Sequence, residues 1–404
     1  MKIVVAISYA PWPITKGTDR LILNLLDGLA VNHEVVLVTM ALGAAELEAL
    51  REIEKPRVAV RAILAPHRRG IARKIYYKAR NIASAVLEGI PPQVSYAAPG
   101  QYLRLIADTA RDVGADLVLA NYWHLYRLPE LLSDVPLALI THDLDFLVNE
   151  GRLNAARGLA RWRASLGAKA LERIERRAYE SYGRILTVTP SDAEALARQP
   201  YMQGKPVDPL PLAIDLAAFD PRAFTREKNL VLFLGTFHAD FNRDALRFLL
   251  TEIFPIMRER NPAARLEIVG QGVDERARAA AGPGVLFAGG VSDIRPHVGR
   301  CSVMVLPLRF CGGVRIRMME AAALGTPVVS TPAGVAGMGL AAGREYLEAR
   351  AAGDFAGAVL GLLEDVEAAR RLGAGARTWA ERNISMETYP ARLERLLETI
   401  TRGS

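Results

Sequence analysis

The chain has 404 residues, 50% hydrophobic and 24% charged, with a formal net charge of +7. That length exceeds one ordinary core, so two domains are expected, and the composition is that of a folded chain, not a disordered one. Only Cys301 and Cys311 are present, which excludes a disulfide framework and any four-cysteine metal site, and no apolar run reaches the roughly 18 to 20 residues that span a bilayer.

The opening MKIVVAIS is too short in its apolar core for a signal peptide and reads as a first, fully buried strand, so a cytoplasmic protein is expected. A loop from Tyr9 to Thr18, carrying Pro11, Pro13 and Gly17, leads into a helix from Arg20 to Leu29, and the strand Glu34 to Thr39 completes a βαβ unit. The loop lacks the compact three-glycine fingerprint of a nicotinamide or flavin site, so neither cofactor is expected.

From His67 to Arg80 six Lys or Arg occur with no acid, while Ile71, Ile75, Ala79, Ile82 and Val86 recur at helical spacing. This pattern fits an interfacial contact with an anionic membrane surface, and it fits a solvated helix face as well. Two further apolar strands, 116–120 and 137–141, end in polar tips: Asn121, Tyr122, Trp123 and His124 after one, His142 and Asp143 after the other. In open α/β sheets ligands bind outside the carboxyl ends of the strands, so these tips are candidate site residues. Asp143 and Asp145 stand without a supporting ligand cluster, and no metal site is assigned. The basic stretch 152–177 predicts a long helix, but no aromatic interleaving or nucleic-acid motif accompanies it, and no nucleic-acid partner is expected. Gln203 to Pro211, rich in Pro and Gly, reads as the linker between domains.

The second half restarts the alternation with strands at 230–234, 265–269, 285–288 and 302–306, the first followed by a helix from Arg243 to Arg260. Amphipathic helices from Asp354 to Leu372 and from Thr388 to Thr401 close the chain. The fold class expected is α/β, two Rossmann-like parallel-sheet domains facing across a cleft. The domains are placed at 1–205 and 206–384, with 385–404 a helix returning to the first.

The most informative stretch is PLRFCGGVRIRMMEAAALGTPVVSTPA, residues 307–333. It reads as strand end, glycine turn at Gly312 and Gly313, helix opening near Val314, stop at Gly325-Thr326-Pro327 and a second strand. A glycine turn into a helix offers anions free N–H donors and the positive end of the helix dipole. At 100° per residue Gly313, Arg317, Glu320 and Leu324 share one edge, beside an apolar stripe of Ile316, Met319 and Ala323. An anion site and a surface ion pair on an ordinary crossover helix both fit that edge.

In order along the chain, the proline and glycine loop before Thr18, His142-Asp143, TVTPSD, PLAIDLAAFD, LFLGTFHADFNRDAL, LEIVGQG, FAGGVSD and VLPLRFCGGVRIRMMEAAALGTPVVSTPAG together resemble the family 4 (group 1) retaining glycosyltransferases of GT-B fold. The resemblance covers essentially the whole chain, and the last segment is its most specific part. It implies a nucleoside diphosphate sugar as donor, bound by the second domain, with no metal and no separate cofactor, and an acceptor hydroxyl presented by the first. It also implies residue roles: Glu320 on the nucleotide ribose; Gly312, Gly313 and Val314 on the diphosphate and sugar; Arg317 on the charge of the leaving group; Gly235 and Gly17 beside the diphosphate; His142 at the donor sugar or the acceptor. Arg243, Val291 and Arg309 complete the implied nucleotide-sugar-binding set.

Three positions depart from the family pattern. Gly312 stands where the first glutamate of the family's paired-glutamate motif is usual, Arg243 is the only lasting cation in the loop after Gly235, and Ala213-Ile214 replaces a common Asn-Gly. A branch that carries the basic, any, basic variant before the glutamate shares the first two, which implies an altered donor pocket. The expected role is hexosyl transfer in cell-envelope polysaccharide or glycolipid assembly, on a glycan or lipid-linked acceptor, in the cytoplasm and peripherally at the inner face of the membrane. The alternative is a nucleotide-sugar-binding protein without transferase activity.

Overall fold

The computed structural model describes residues 1–14, 17–68, 70–87, 89–149, 158–311 and 314–402; for 72, 73, 86, 87, 158–167 and 402 it describes the backbone alone. The chain divides into two compact units, Met1–Pro211 with Tyr389–Ser404, and Leu212–Thr388.

In the first unit the strands β1 (Lys2–Ile7), β2 (Glu34–Ala41), β3 (Val58–Leu64), β4 (Leu117–Asn121), β5 (Leu137–Thr141), β6 (Arg184–Thr187) and β7 (Val207–Pro209) form one sheet in the order β3-β2-β1-β4-β5-β6-β7. Every pairing in it is parallel. β1 and β4 are apolar on both faces because helices cover both, and Ile3 to Ile7 and Leu117 to Ala120 are buried. The order reverses between β1 and β4, so the ligand-binding end of this sheet is where the chain leaves those two strands.

The helices relevant here are α1 (Gly17–Ala30), α2 (Ile71–Leu87), α3 (Gly100–Val113) and α4 (Gly158–Ser181). α2 departs from the usual pattern, because Ile71, Ile75 and Ile82 are 80%, 64% and 54% exposed while Tyr77 and Asn81 are buried. Its apolar stripe faces outward, so the helix is held by its other side. The predicted helix 152–177 is described from Gly158 and runs four residues further, to Ser181.

The second sheet repeats the plan with β8 (Glu227–Leu234), β9 (Arg265–Val269), β10 (Val285–Gly289), β11 (Cys301–Leu306), β12 (Val328–Ser330) and β13 (Leu347–Glu348), in the order β10-β9-β8-β11-β12-β13, again all parallel. Its reversal lies between β8 and β11. One apolar cluster, built on Phe233, Leu249 and Phe355, lies on one side, and another, built on Leu232, Met304 and Met318, on the other.

The helix after β8 begins as α5 (Asp240–Phe248) and continues through a π turn, Leu249–Ile253, to Arg260. α6 (Ile316–Ala323) opens two residues later than its sequence suggests. It is also enclosed more fully than a one-sided stripe would require: Met318 to Leu324 are all buried, whereas Ile316 is half-buried. The helix expected at 354–372 is two helices, α7 (Ala352–Glu364) and α8 (Val366–Asn383), because Asp365 stops the first and caps the second by accepting from the Ala368 N–H at 2.8 Å. α9 (Tyr389–Arg402) belongs to the first unit, where Tyr389 and Leu393 lie so close to Gly28 of α1 that a Cβ there would meet the Tyr389 ring at 2.6 Å.

Candidate functional site

At the reversal of the second sheet the chain leaves β8 through Gly235, and β11 through the loop that precedes α6. Two guanidinium groups converge here. Arg317, in the first turn of α6, donates from Nη1 to the Leu234 carbonyl and from Nη2 to Asn242 Oδ1 at 2.6 Å, and it lies over the Phe233 ring. Gly235 makes this possible, since a Cβ there would stand 2.7 Å from Arg317 Nη1. Asn242 is held in turn by a 2.8 Å bond from Nδ2 to the Thr236 carbonyl, which fixes its Oδ1 toward the arginine.

Arg315, the residue before α6, is 8% exposed and lies over the Phe241 ring. Its Nε has no hydrogen-bond partner, and no carboxylate within 4 Å pairs with Arg315 or Arg317 among the described residues. Burial, then the charge of Arg315, push the Arg317 guanidinium down to about 9. It remains cationic at neutral pH. Two neighbouring cations, one buried and one half-buried, without a counter-ion are costly for the protein alone and are relieved by an anion.

Glu320, one turn on from Arg317, is 7% exposed and sits among Met318, Met319 and Ala321 to Ala323. Its charge opposes the fall in the Arg317 pKa. Gly270, at the end of β9, has φ +140°, and a Cβ on it would fall 1.7 Å from the Gly235 carbonyl. Two glycines thus bring two strand ends together beside the arginines. Val291 and Val314 pack against the apolar cluster beneath.

Arg243 and Arg309 are placed differently. Arg243 pairs with Asp240 and donates to the His238 carbonyl at 2.9 Å; Arg309 grips Asp244 from Nε at 2.7 Å and stacks over Phe248. Asp244 is accordingly held below the usual carboxylate range: burial raises its pKa, and the bonds from Arg309 and Arg247 outweigh that. Gly312 and Gly313 lie outside the described residues.

The first unit has a different cluster at its own reversal. His142, just after β5, is buried, and its Nε2 lies 3.0 Å from Asn121 Oδ1. Asn121 donates from Nδ2 to the Ala6 carbonyl at 3.1 Å, so Oδ1 is the acceptor and Nε2 of the imidazole carries a proton. Tyr122 stacks on His142 with ring centroids 4.6 Å apart, and its φ of 72° is strained for a residue of that bulk. Burial raises the pKa of both Tyr122 and Tyr9, whose hydroxyl donates to Thr18 at 3.2 Å in the first turn of α1, next to Gly17. Burial also pushes His124 down to about 4, so it is neutral.

Asp145 accepts from the Trp123 indole at 2.8 Å, which gives the Asp143-Leu144-Asp145 segment a structural use. Among the described residues there is no group of three or more His, Cys, Asp or Glu that could hold a metal ion.

The sequence pointed to Arg317, Glu320, Gly235 and His142, and the structure clusters the first three. It missed two residues. Arg315 carried a signal, since it is the first basic residue of the same basic, any, basic motif. Asn242 carried none, because it meets Arg317 only through the fold.

Two family models match the chain: "Glycosyltransferase Family 4" over residues 15–218, which is half of it, and "Glycosyl transferases group 1" over residues 228–365. The chain belongs to glycosyltransferase family 4.

Solved structures share the fold of this glycosyltransferase across both units. Sucrose-phosphate synthase from Thermosynechococcus elongatus is 17% identical, with 100% of both chains covered and a TM-score of 0.75. HepE from Anabaena, in complex with UDP and glucose, is 13% identical over 98% of this chain and 99% of its own, with a TM-score of 0.69. A glycosyltransferase from Rickettsia africae ESF-5 is 11% identical over 100% of this chain and 99% of its own, with a TM-score of 0.68. The fold class is that of the GT-B glycosyltransferases. No curated protein sequence matches the chain.

Proposed function

We propose that this family 4 member is a metal-independent, retaining glycosyltransferase that moves a hexose from a nucleoside diphosphate sugar to an acceptor hydroxyl. The observation that carries the proposal is the Arg315–Arg317 pair, one buried and one half-buried cation without a carboxylate partner among the described residues, at the strand ends beside Gly235. A diphosphate supplies the missing anion, and its charge grows as the sugar departs, so the pair stabilises the transition state more than the ground state. HepE, whose structure contains UDP and glucose, shares the fold and gives the donor class a precedent.

Glu320 receives the two ribose hydroxyls, and Gly235, Val291 and Val314, with Gly312 and Gly313, border the diphosphate and sugar. Arg243 and Arg309 shape the rim through their carboxylate partners. In the first unit His142 orients the acceptor hydroxyl, with Gly17 at the start of α1 nearby in the same unit. No side chain is assigned as nucleophile. The acceptor attacks the anomeric carbon on the face the leaving group vacates, and its proton passes to the departing phosphate oxygen.

The acceptor belongs to cell-envelope glycan or glycolipid assembly, at an anionic membrane surface. Support comes from α2, whose exposed Ile71, Ile75 and Ile82 are interleaved with Lys74 and Lys78. No helix among the described residues is long and apolar enough to cross a membrane, so attachment would be peripheral. Sedimentation with phosphatidylglycerol vesicles should fall when Ile71 and Ile75 are both changed to Asp. Equal sedimentation of variant and wild type removes the membrane surface from the proposal.

The activity itself is tested by thermal shift with UDP-, GDP- and ADP-linked sugars, followed by transfer assays with and without a chelator. One of these donors should raise the melting temperature, and its turnover should survive chelation. Donor binding without hydrolysis or transfer would leave a nucleotide-sugar-binding protein instead.

A further inference from the structure

The first unit contains a pocket of about 410 Å³ that the donor chemistry does not use. It is lined by the buried Val94 and Leu103, with Ile90 half-buried and Leu131 exposed, and by the exposed Arg80, Arg104 and Arg127. His124 forms one wall, and its ring packs at 4.2 Å from Trp123 and 6.1 Å from Tyr122, which itself stacks on His142. The pocket therefore ends one aromatic ring away from the proposed acceptor-orienting histidine.

The arginines of this region differ in whether they are neutralised. In the adjoining groove of about 750 Å³ Arg176 pairs with Glu180 at 2.8 Å, and Arg177 pairs with Glu130 at 3.2 Å over the Tyr126 ring. Glu130 also takes Arg127 at 3.2 Å. Arg80 and Arg104 have no carboxylate partner among the described residues; Arg80 lies over the Tyr77 ring and Arg104 rises one turn into α3. Ser84, one turn beyond Arg80 on α2, and Ser95 add hydroxyl donors at the same rim. Of the three rim guanidinium groups, Arg127 shares Glu130 with Arg177, which leaves Arg80 and Arg104 without a carboxylate among the described residues.

Forked donors beside an apolar lining recognise a phosphate carried on a hydrocarbon, since the arginines bind its oxygens in pairs and the lining takes the chain. We propose that this pocket binds the phosphate headgroup of a phosphorylated amphiphile, and so selects the class of acceptor. The inference rests on the reading of the first unit as the acceptor half. A free sugar would leave the arginines uncompensated, and a free phosphate would leave the apolar lining wet.

Isothermal titration of the full chain with octyl phosphate, octyl glucoside and inorganic phosphate tests this. Octyl phosphate should bind at least tenfold more tightly than either of the others, and R80A/R104A should lower its affinity at least tenfold without changing the affinity for the nucleotide donor. Equal octyl phosphate affinity in wild type and R80A/R104A, or inorganic phosphate binding as well as octyl phosphate, would overturn the proposal. Absence of octyl phosphate binding overturns it too. Both arginines are exposed, so folding should survive; R104E, with an unchanged melting temperature, should abolish binding, and retained binding in it counts against the pocket. If the nucleotide fails to bind while octyl phosphate does, the donor reading falls and the pocket stands.

Discussion

The two sheets reverse their strand order at corresponding places, yet they present different chemistry there. In the first unit the reversal is surrounded by Tyr9, Tyr122, His124 and His142, with the phenols and His124 held neutral by burial and the carboxylates of Asp19 and Asp143 acting on the phenols, but with no cation beside them among the described residues. In the second it holds two cations with rings beneath them, Arg315 buried and Arg317 half-buried. The contrast teaches that the parallel-sheet scaffold decides where a ligand binds, and a few side chains decide its charge. Neutral rings and hydroxyls suit a neutral reacting group, whereas paired guanidinium groups suit a diphosphate.

The strongest way to break the contrast is to neutralise the second site. Changing Arg315 alone to Met should lower nucleotide affinity by about tenfold or more, taking about 1.5–3 kcal/mol for each charged hydrogen bond lost, while the melting temperature holds or rises because a buried charge without a carboxylate partner among the described residues has gone. Calorimetry and thermal melts read both. A loss of stability with intact affinity would mean that Arg315 is structural. Glu320→Ala should weaken nucleotide binding by about tenfold to a hundredfold through the same kind of bond, and unchanged affinity would refute the ribose assignment.

The counterpart in the first unit is His142→Ala. Donor affinity should stay as it was, and turnover should fall by about 10²-fold, the scale of a positioned imidazole. A matching loss of donor affinity would erase the division of labour between the units.

A smaller effect concerns the backbone that closes the second site. Gly270→Ala combines a φ of +140° with a Cβ placed 1.7 Å from the Gly235 carbonyl, and it should cost about 2–4 kcal/mol in denaturant unfolding. A neutral result would show that β8 and β9 can separate at this point without harm.

The smallest effect is a pH dependence that sharpens the neutral character of the first unit. Glu175 on α4 accepts at Oε1 from the Asp145 N–H and from the Tyr179 hydroxyl, both at 2.8 Å, just beyond His142. Burial first, then the nearby Asp145 charge, raise its carboxyl from 4.5 to about 8. The folded state binds this proton more tightly than the unfolded chain does. Its contribution is therefore complete below pH 4.5 and is lost as pH rises through about 8. Stability should fall across that window, and Glu175→Gln should flatten the slope. An unchanged slope in the variant would assign the titration to another group.

Much of this was legible in the chain itself. Continuous apolar runs such as Ile3 to Ile7 and Leu230 to Leu234 identify buried parallel strands, because a strand covered on both faces has no polar side to show. The spacing of Arg317 and Glu320 puts both on one edge of α6, because helical periodicity is local. Some errors were local too. A helix that Asp365 divides was read as one, since a cap competes weakly with an unbroken apolar pattern, and β3 went unread because its alternation VAVRAIL lies among charged flanks.

What the sequence could not contain is the partner of each charge. Arg243, Arg309, Arg315 and Arg317 look alike as letters. Asp240 is a local partner for the first, three residues before it on the same helix, but only the tertiary structure gives Asp244 to the second and leaves the other two over aromatic rings without a carboxylate among the described residues. By itself the sequence determined the alternation of strands and helices, and with it the end of each sheet at which the candidate site residues lie. Which arginines there remain available to an anion was decided by long-range packing, because ion pairing depends on distances of a few ångströms between residues far apart in the chain.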